Sequence, residues 1–362
     1  MAHQAHQAQQ VITTYNIFAP NYSVTGIRSE NANNTQVVMT GTCPSGRTQA
    51  MLYRGPMNPQ DSSGCHCLTP IFSNDEILVA SIFYGPNTAF FDPRIKPGHV
   101  RAVGTYNYTD DPSTQNFGML YEGPLDGPNQ QQYWTRIDIP DGVAGGKVDN
   151  TIPHSTMGDL IVGNYERVGQ PRGLFGAFIC RMGPTFAYRQ LRLKLDGRLI
   201  ELVTAYGIWQ NNSGGASIPP YTIAGGCKPH NDPSELNVGF LVDYDWDRDT
   251  ISHERTFRYD NAPSEITHFE GITQCGSNCY SLAATGDQGQ DTDNRGAAFA
   301  VVKRNPDGLF SDAAWQRVDN SASTGITTGN TVLTNNVFGV YTTSSGIQSY
   351  VVSNLPVTFN CS

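Results

Sequence analysis

The sequence predicts an all-β fold, a six-bladed β-propeller, from three observations. A short unit of about 60 residues is written six times along the chain, the signature of a repeat architecture. Gly (37) and Pro (22) punctuate the 362 residues too often for long helices. The remaining segments are short polar–apolar alternations with the period of strands. Only 15% of residues are charged, which argues against a coiled coil, a helix bundle or a disordered tail.

Each unit opens on a small or β-branched run ending in Gly, turns, and continues in a small–aromatic–aliphatic run. The copies read QVVMTGT (36–42) with AMLYRGP (50–56), VRAVGTYNY (100–108) with FGMLYEGP (117–124), and DLIVGNY (159–165) with GAFIC (176–180). They continue as YTIAGGC (221–227) with NVGFLVDY (237–244), YSLAATGD (280–287) with GAAFAVV (296–302), and NVFGVYTT (336–343) with IQSYVV (347–352). The marker glycines are Gly41, Gly104, Gly163, Gly225, Gly286 and Gly339. Alternating stretches such as YWTRIDIP (133–140), YRQLRLKLDG (188–197) and WQRVDNS (315–321) supply a further strand per unit. A four-stranded unit cannot bury both faces alone, so neighbours stack around an axis and the ring closes. A β-solenoid is the runner-up. Closure is expected from residues 13–18 and 356–359, with Cys361 reinforcing the seam. Residues 1–10 read as a flexible leader or tag, and 11–362 as one propeller domain with about 60 residues per blade.

The residues Thr25-Gly26-Ile27, Tyr206-Gly207-Ile208 and Glu270-Gly271-Ile272, with Ile161-Val162-Gly163-Asn164-Tyr165 and Gly176-Ala177-Phe178, resemble the bacterial extracellular HAF-type repeats. His154-Ser155-Thr156 departs from the x-G-I pattern, and the repeat is longer than usual. The resemblance implies an exported propeller and supplies no catalytic residues.

In a propeller the innermost strands line a central channel. Aligning the copies places one residue per blade at its mouth: Thr25, a position near Arg94 to Lys96, His154, Tyr206, Glu270 and Asn330. These equivalent positions carry different polar groups, as a functional mouth would. His154, Tyr206 and Glu270 form a candidate acid–base set of imidazole, phenol and carboxylate. Arg94, Lys96, Thr25, His268 and Asn330 are candidate substrate contacts, with Arg94 or Lys96 neutralising a substrate carboxylate and His268 an alternative imidazole. Glu270 has no acidic partner at the equivalent positions. Lyase- or isomerase-like proton transfer on a polysaccharide or small polar substrate is therefore preferred to hydrolysis. A glycan-binding lectin and a structural or adhesive surface protein are the alternatives.

A formal charge of −9 and no basic face argue against nucleic acid. The densest basic stretch, Arg189 to Arg198, reads as a solvated strand face, and no apolar run is long enough to span a membrane. Eight cysteines without zinc-ligand spacing point to disulfides and a secreted, extracellular or periplasmic location. No cofactor is expected. Calcium is the one candidate ion, at Asp243–Asp249 or Asp287–Gly296, where solvated acidic turns are the plainer reading. His99, His230 and His253 are expected in surface turns.

Overall fold

A computed structural model describes residues 11–14, 23–45, 47–59, 61–72, 78–108, 115–171, 173–195, 197–211, 219–230, 237–259, 265–288, 295–318, 320 and 322–355. Six four-stranded antiparallel sheets are arranged in a ring as a six-bladed β-propeller. Among the described residues, helix is confined to one α-turn, Asp141–Ala144, one 3-10 turn, Gln131–Tyr133, and the 3-10 residue Tyr259. The innermost strands of blades one to five are Ser23–Ser29, Leu78–Thr88, Val148–Met157, Val203–Gln210 and Glu265–Gln274. In blade six the inner position is taken by Thr331–Leu333 and the segment before it, where Asn330 N donates to Phe338 O. A small extra hairpin, Leu193–Leu195 with Arg198–Ile200, lies between blades three and four in sequence.

The ring closes through the N-terminal strand. Val11–Thr14 pairs antiparallel with Gly346–Ser353 as the outermost strand of blade six. Of the expected closing segments, only residues 13 and 14 are described, and residues 356–359 and Cys361 lie outside the described residues. One disulfide, Cys43–Cys67, staples the second and fourth strands of blade one. Cys279 is disulfide-bonded as well, whereas Cys65, Cys180, Cys227 and Cys275 are free thiols.

All five of the longer inner strands carry a β-bulge at the same place. The register slips between Val24 and Gly26, Phe83 and Gly85, Pro153 and Ser155, Ala205 and Gly207, and Phe269 and Gly271. One residue per blade is thus left out of the ladder and turned toward the axis. The bulge explains the marker glycines. A β-carbon on Gly41, Gly104, Gly163, Gly225 or Gly339 would overlap the carbonyl oxygen two residues before the bulged position. Blade five corrects the expected series: the equivalent residue is Ala284, paired with Phe269, while Gly286 pairs with Thr267 two positions away.

Apolar side chains fill the space between blades. Phe83 stacks on Trp134 with centroids 5.7 Å apart, and Phe269 on Trp315 at 5.8 Å. Each pair joins an inner strand to the outer strand of the same blade.

One buried polar network interrupts that core, and it corrects the reading of Asp243 to Asp249 as a solvated acidic turn at its first residue. The strand Val238–Asp245 ends within the run, so Asp247 and Asp249 fall in the turn. Asp243 is fully buried and takes a bidentate pair from Arg304, Nη1 at 2.6 Å and Nη2 at 2.7 Å. Thr222 Oγ1 and His253 Nδ1 complete its shell at 2.8 and 2.7 Å. His253 is therefore a buttress of this network and not a surface turn residue. Removing the carboxylate would strand a buried guanidinium. Asp243→Ala is expected to cost about 3 kcal/mol in urea unfolding, and Asp243→Ala/Arg304→Met less than that, because no unpaired charge remains.

Candidate active site

The residues left out of the ladder at this shared bulge are Thr25, Tyr84, His154, Tyr206 and Glu270, with Asn330 at the same position in blade six. Five of the six mouth positions expected from the sequence are therefore found together at one level of the channel. The exception is blade two. Arg94 and Lys96 lie beyond the end of the inner strand Leu78–Thr88, in the connection to His99–Tyr108, at the opposite end of the channel. Arg94 there grips Asp92, with Nε at 2.8 Å and Nη2 at 3.0 Å. The position belongs to Tyr84. Its signal was present in Tyr84-Gly85-Pro86, a match to x-G-I with Pro in place of Ile.

Four rings form a continuous arc around the axis. Centroids are 4.7 Å apart from Tyr84 to His154, 4.4 Å from His154 to Tyr206, and 5.5 Å from Tyr206 to a stacked His268. The arc ends on a carboxylate, since His268 Nε2 and Glu270 Oε1 are 2.5 Å apart. Thr285 Oγ1 also donates to Oε1, at 3.2 Å. Both bonds use one oxygen of the carboxylate, and Oε2 receives neither. His268 joins the arc because it lies two residues before the bulge, where strand alternation returns a side chain to the same face.

Burial and pairing set the charges. Burial pushes the His154 imidazole down to about 4, against the opposing pull of Glu270, so this ring is neutral at pH 7. Burial alone would raise the Glu270 carboxyl. The adjacent His268, by charge and by hydrogen bond, outweighs it, with His154 and Thr285 adding, and holds the group below the usual carboxylate range. The tyrosine of blade two is held protonated, its phenol raised by burial. The site thus presents the Glu270 carboxylate close to a neutral His154 imidazole and a protonated Tyr84 phenol.

Two expected substrate contacts are occupied in closing the ring. Thr25 Oγ1 donates to Phe83 O of the next blade at 2.5 Å, and Asn330 Nδ2 donates to Val24 O across the blade six–blade one seam at 2.8 Å. At the level of the bulges the channel keeps a void of only about 20 Å³, lined by Thr25, Tyr84, His154, Tyr206 and Glu270 among others. That is room for about one water molecule. These side chains therefore form the floor of the mouth, and a substrate would lie against them without threading through.

Arg192, from the basic stretch expected to be a solvated face, lines a cleft of about 400 Å³ on the mouth side, together with Arg167, Tyr165 and Gln190. Among the described residues no group of three or more His, Cys, Asp or Glu is arranged to hold a metal, and residues 289–294 of the second acidic stretch lie outside the described residues. Among the described residues no helix is long and apolar enough to cross a membrane.

No family model matches the chain, and no curated protein matches it. Solved structures resemble it in outline. A subtype N10 neuraminidase-like protein of A/little yellow-shouldered bat/Guatemala/060/2010 gives a TM-score of 0.43 at 11% identity, covering 95% of this chain and 98% of that one. An exo-β-1,3-galactanase from Phanerochaete chrysosporium gives 0.39 at 10% identity, covering 95% and 64%. An α-L-arabinanase from Penicillium chrysogenum gives 0.38 at 10% identity, covering 95% and 98%. At these scores no residue equivalence passes to this chain.

Proposed function

We propose that this propeller is an enzyme that transfers protons on a polar, hydroxyl-rich substrate of the carbohydrate class, at the channel floor. The observation that carries this reading is the arc from Tyr84 through His154, Tyr206 and His268 to Glu270, in which positions made equivalent by the fold hold chemically different groups. Glu270 is the base. His268 and Thr285 hold its Oε1 and leave Oε2 to accept a proton from a carbon beside a carbonyl or carboxyl group. Tyr206 is the acid. In an elimination, the C–H electron pair forms the new C=C bond and the leaving oxygen departs with its own pair, taking the phenol proton. In an epimerisation, the phenol returns a proton to the carbon from the other face.

Among the bulged positions and those two residues before them, Glu270 is the only carboxylate. Glycoside hydrolysis ordinarily uses two, so lyase- or isomerase-like chemistry fits the floor better. Arg94 and Lys96 are at the wrong end to receive a substrate carboxylate. Arg167 and Arg192, lining the cleft on the mouth side, take over that role for an extended acidic chain. The aromatic faces of the arc suit a sugar ring, and the disulfide fits an exported protein.

The test is incubation with acidic and neutral polysaccharides in D₂O. Mass spectrometry is expected to find deuterium at carbon or an unsaturated product. Neither exchange nor product, accompanied by several weak equivalent binding sites on a glycan array, would make this a lectin instead.

A further inference from the structure

Three arginines are buried among the described residues, and two of them have carboxylate partners. Arg101 pairs with Asp92 and Glu122, and Arg304 with Asp243. The third, Arg28, is 4% exposed and has no ion pair with any described residue. It sits in the inner strand of blade one, three residues beyond the bulge, and lines the same small channel void as His154, Tyr206 and Glu270. Nη1 donates to Ile27 O at 3.1 Å and Nη2 to Ile208 O at 3.4 Å. The guanidinium carbon lies 5.6 Å from the centroid of the Trp209 ring. Nε is buried without a hydrogen-bond partner among the described residues.

A buried cation without a counter-charge is costly, and backbone carbonyls and one indole face offset only part of that cost. Burial lowers the guanidinium only to about 10, so it remains charged at neutral pH. The void beside it, about 20 Å³, is too small for a carboxylate-bearing sugar and large enough for one water molecule or one monoatomic ion.

We infer that the channel binds a single monoatomic anion of the chloride class at Arg28, which neutralises the guanidinium and receives its Nε–H. The anion lies among the inner strands, so it adds to the contacts that Arg28 already makes across the channel with Ile208 O and the Trp209 ring. This inference is independent of the proposed activity.

The full chain, exchanged into sodium gluconate, is titrated with sodium chloride or bromide at constant ionic strength. Tm is expected to rise by about 2 °C for each tenfold increase in halide above its Kd, as a ligand bound only by the fold requires. Arg28→Met is expected to remove the halide dependence. Should that variant fail to fold, bromide-soaked crystals of the unaltered chain decide the matter: an anomalous peak within contact distance of Arg28 Nε is expected. A Tm indifferent to halide, or bromide only at exposed surface positions with water in the channel, overturns the inference.

Discussion

Gly225→Ala is expected to destabilise the protein by about 4–5 kcal/mol in urea unfolding, an exceptional cost for a single methyl group. A β-carbon there would overlap Thr204 O on the inner strand and stand 2.9 Å from the Phe240 ring on the third strand. Neither neighbour can withdraw easily. Thr204 is fixed by the bulge that presents Tyr206, and Phe240 is buried in the core between blades. Blade five is the natural control. It has the same bulge with Ala284 at the equivalent position, and the residue paired with Ala284 on the third strand is Ala298, not an aromatic. A methyl group is tolerated where the third strand leaves room. Gly225→Ala should therefore couple to Phe240→Ala: the double variant is expected to cost less than the sum of the two single losses, Phe240→Ala alone costing about 3–5 kcal/mol, because the ring contact is relieved while the overlap with Thr204 O remains. Ala284→Gly should cost about 1 kcal/mol or less. Additive losses at 225 and 240, or a Gly225→Ala protein as stable as the parent, would remove this account of the marker glycines.

The same contact explains how much the sequence reveals. The glycine on the second strand opposite the bulge repeats in five blades because a backbone oxygen occupies the place of its β-carbon, and a steric rule of that kind is written in one letter. It therefore located the blades and five of the six residues at the channel floor. It misled where the rule has another solution, as with the Ala284–Ala298 pair, and where the x-G-I pattern is altered, as in Tyr84-Gly85-Pro86. In blade two, Arg94 and Lys96 stand between the inner strand and Gly104, closer to that marker in sequence than Tyr84 is. The Asp243–Arg304 pair was not legible for a different reason. Its partners are 61 residues apart on different blades, and nothing local to Asp243 distinguishes a buried carboxylate from a solvated one. Arg28 was hidden likewise, since its isolation is a property of the closed ring.

Glu270→Gln is expected to lower kcat/KM on the substrate found in the D₂O screen by about 10²–10⁴-fold, the usual contribution of a positioned general base. The amide keeps the size of the side chain and an oxygen for Thr285 and His268, so the loss should appear without loss of the fold. His154 sets the lower pH limit. With its imidazole neutral down to about 4, activity should hold as pH falls and fail on a limb near that value. His154→Asn should shift the limb, whereas a limb unmoved in that variant would assign it to Glu270 alone. Stability supplies a second readout that requires no substrate. The folded imidazole titrates below its ordinary 6.5, and the Glu270 carboxyl is also lowered, so the unfolded chain binds more protons at mildly acidic pH. Stability from the imidazole is present near pH 7 and lost as pH falls from about 6.5 through 4, and stability from the carboxyl is lost only below about 4.5. Removing the imidazole removes its share, so His154→Asn should lose less stability than the parent between pH 7 and pH 4.5. An equal loss would mean that His154 is not held neutral by burial, and the acid–base assignment of the floor would fail with it.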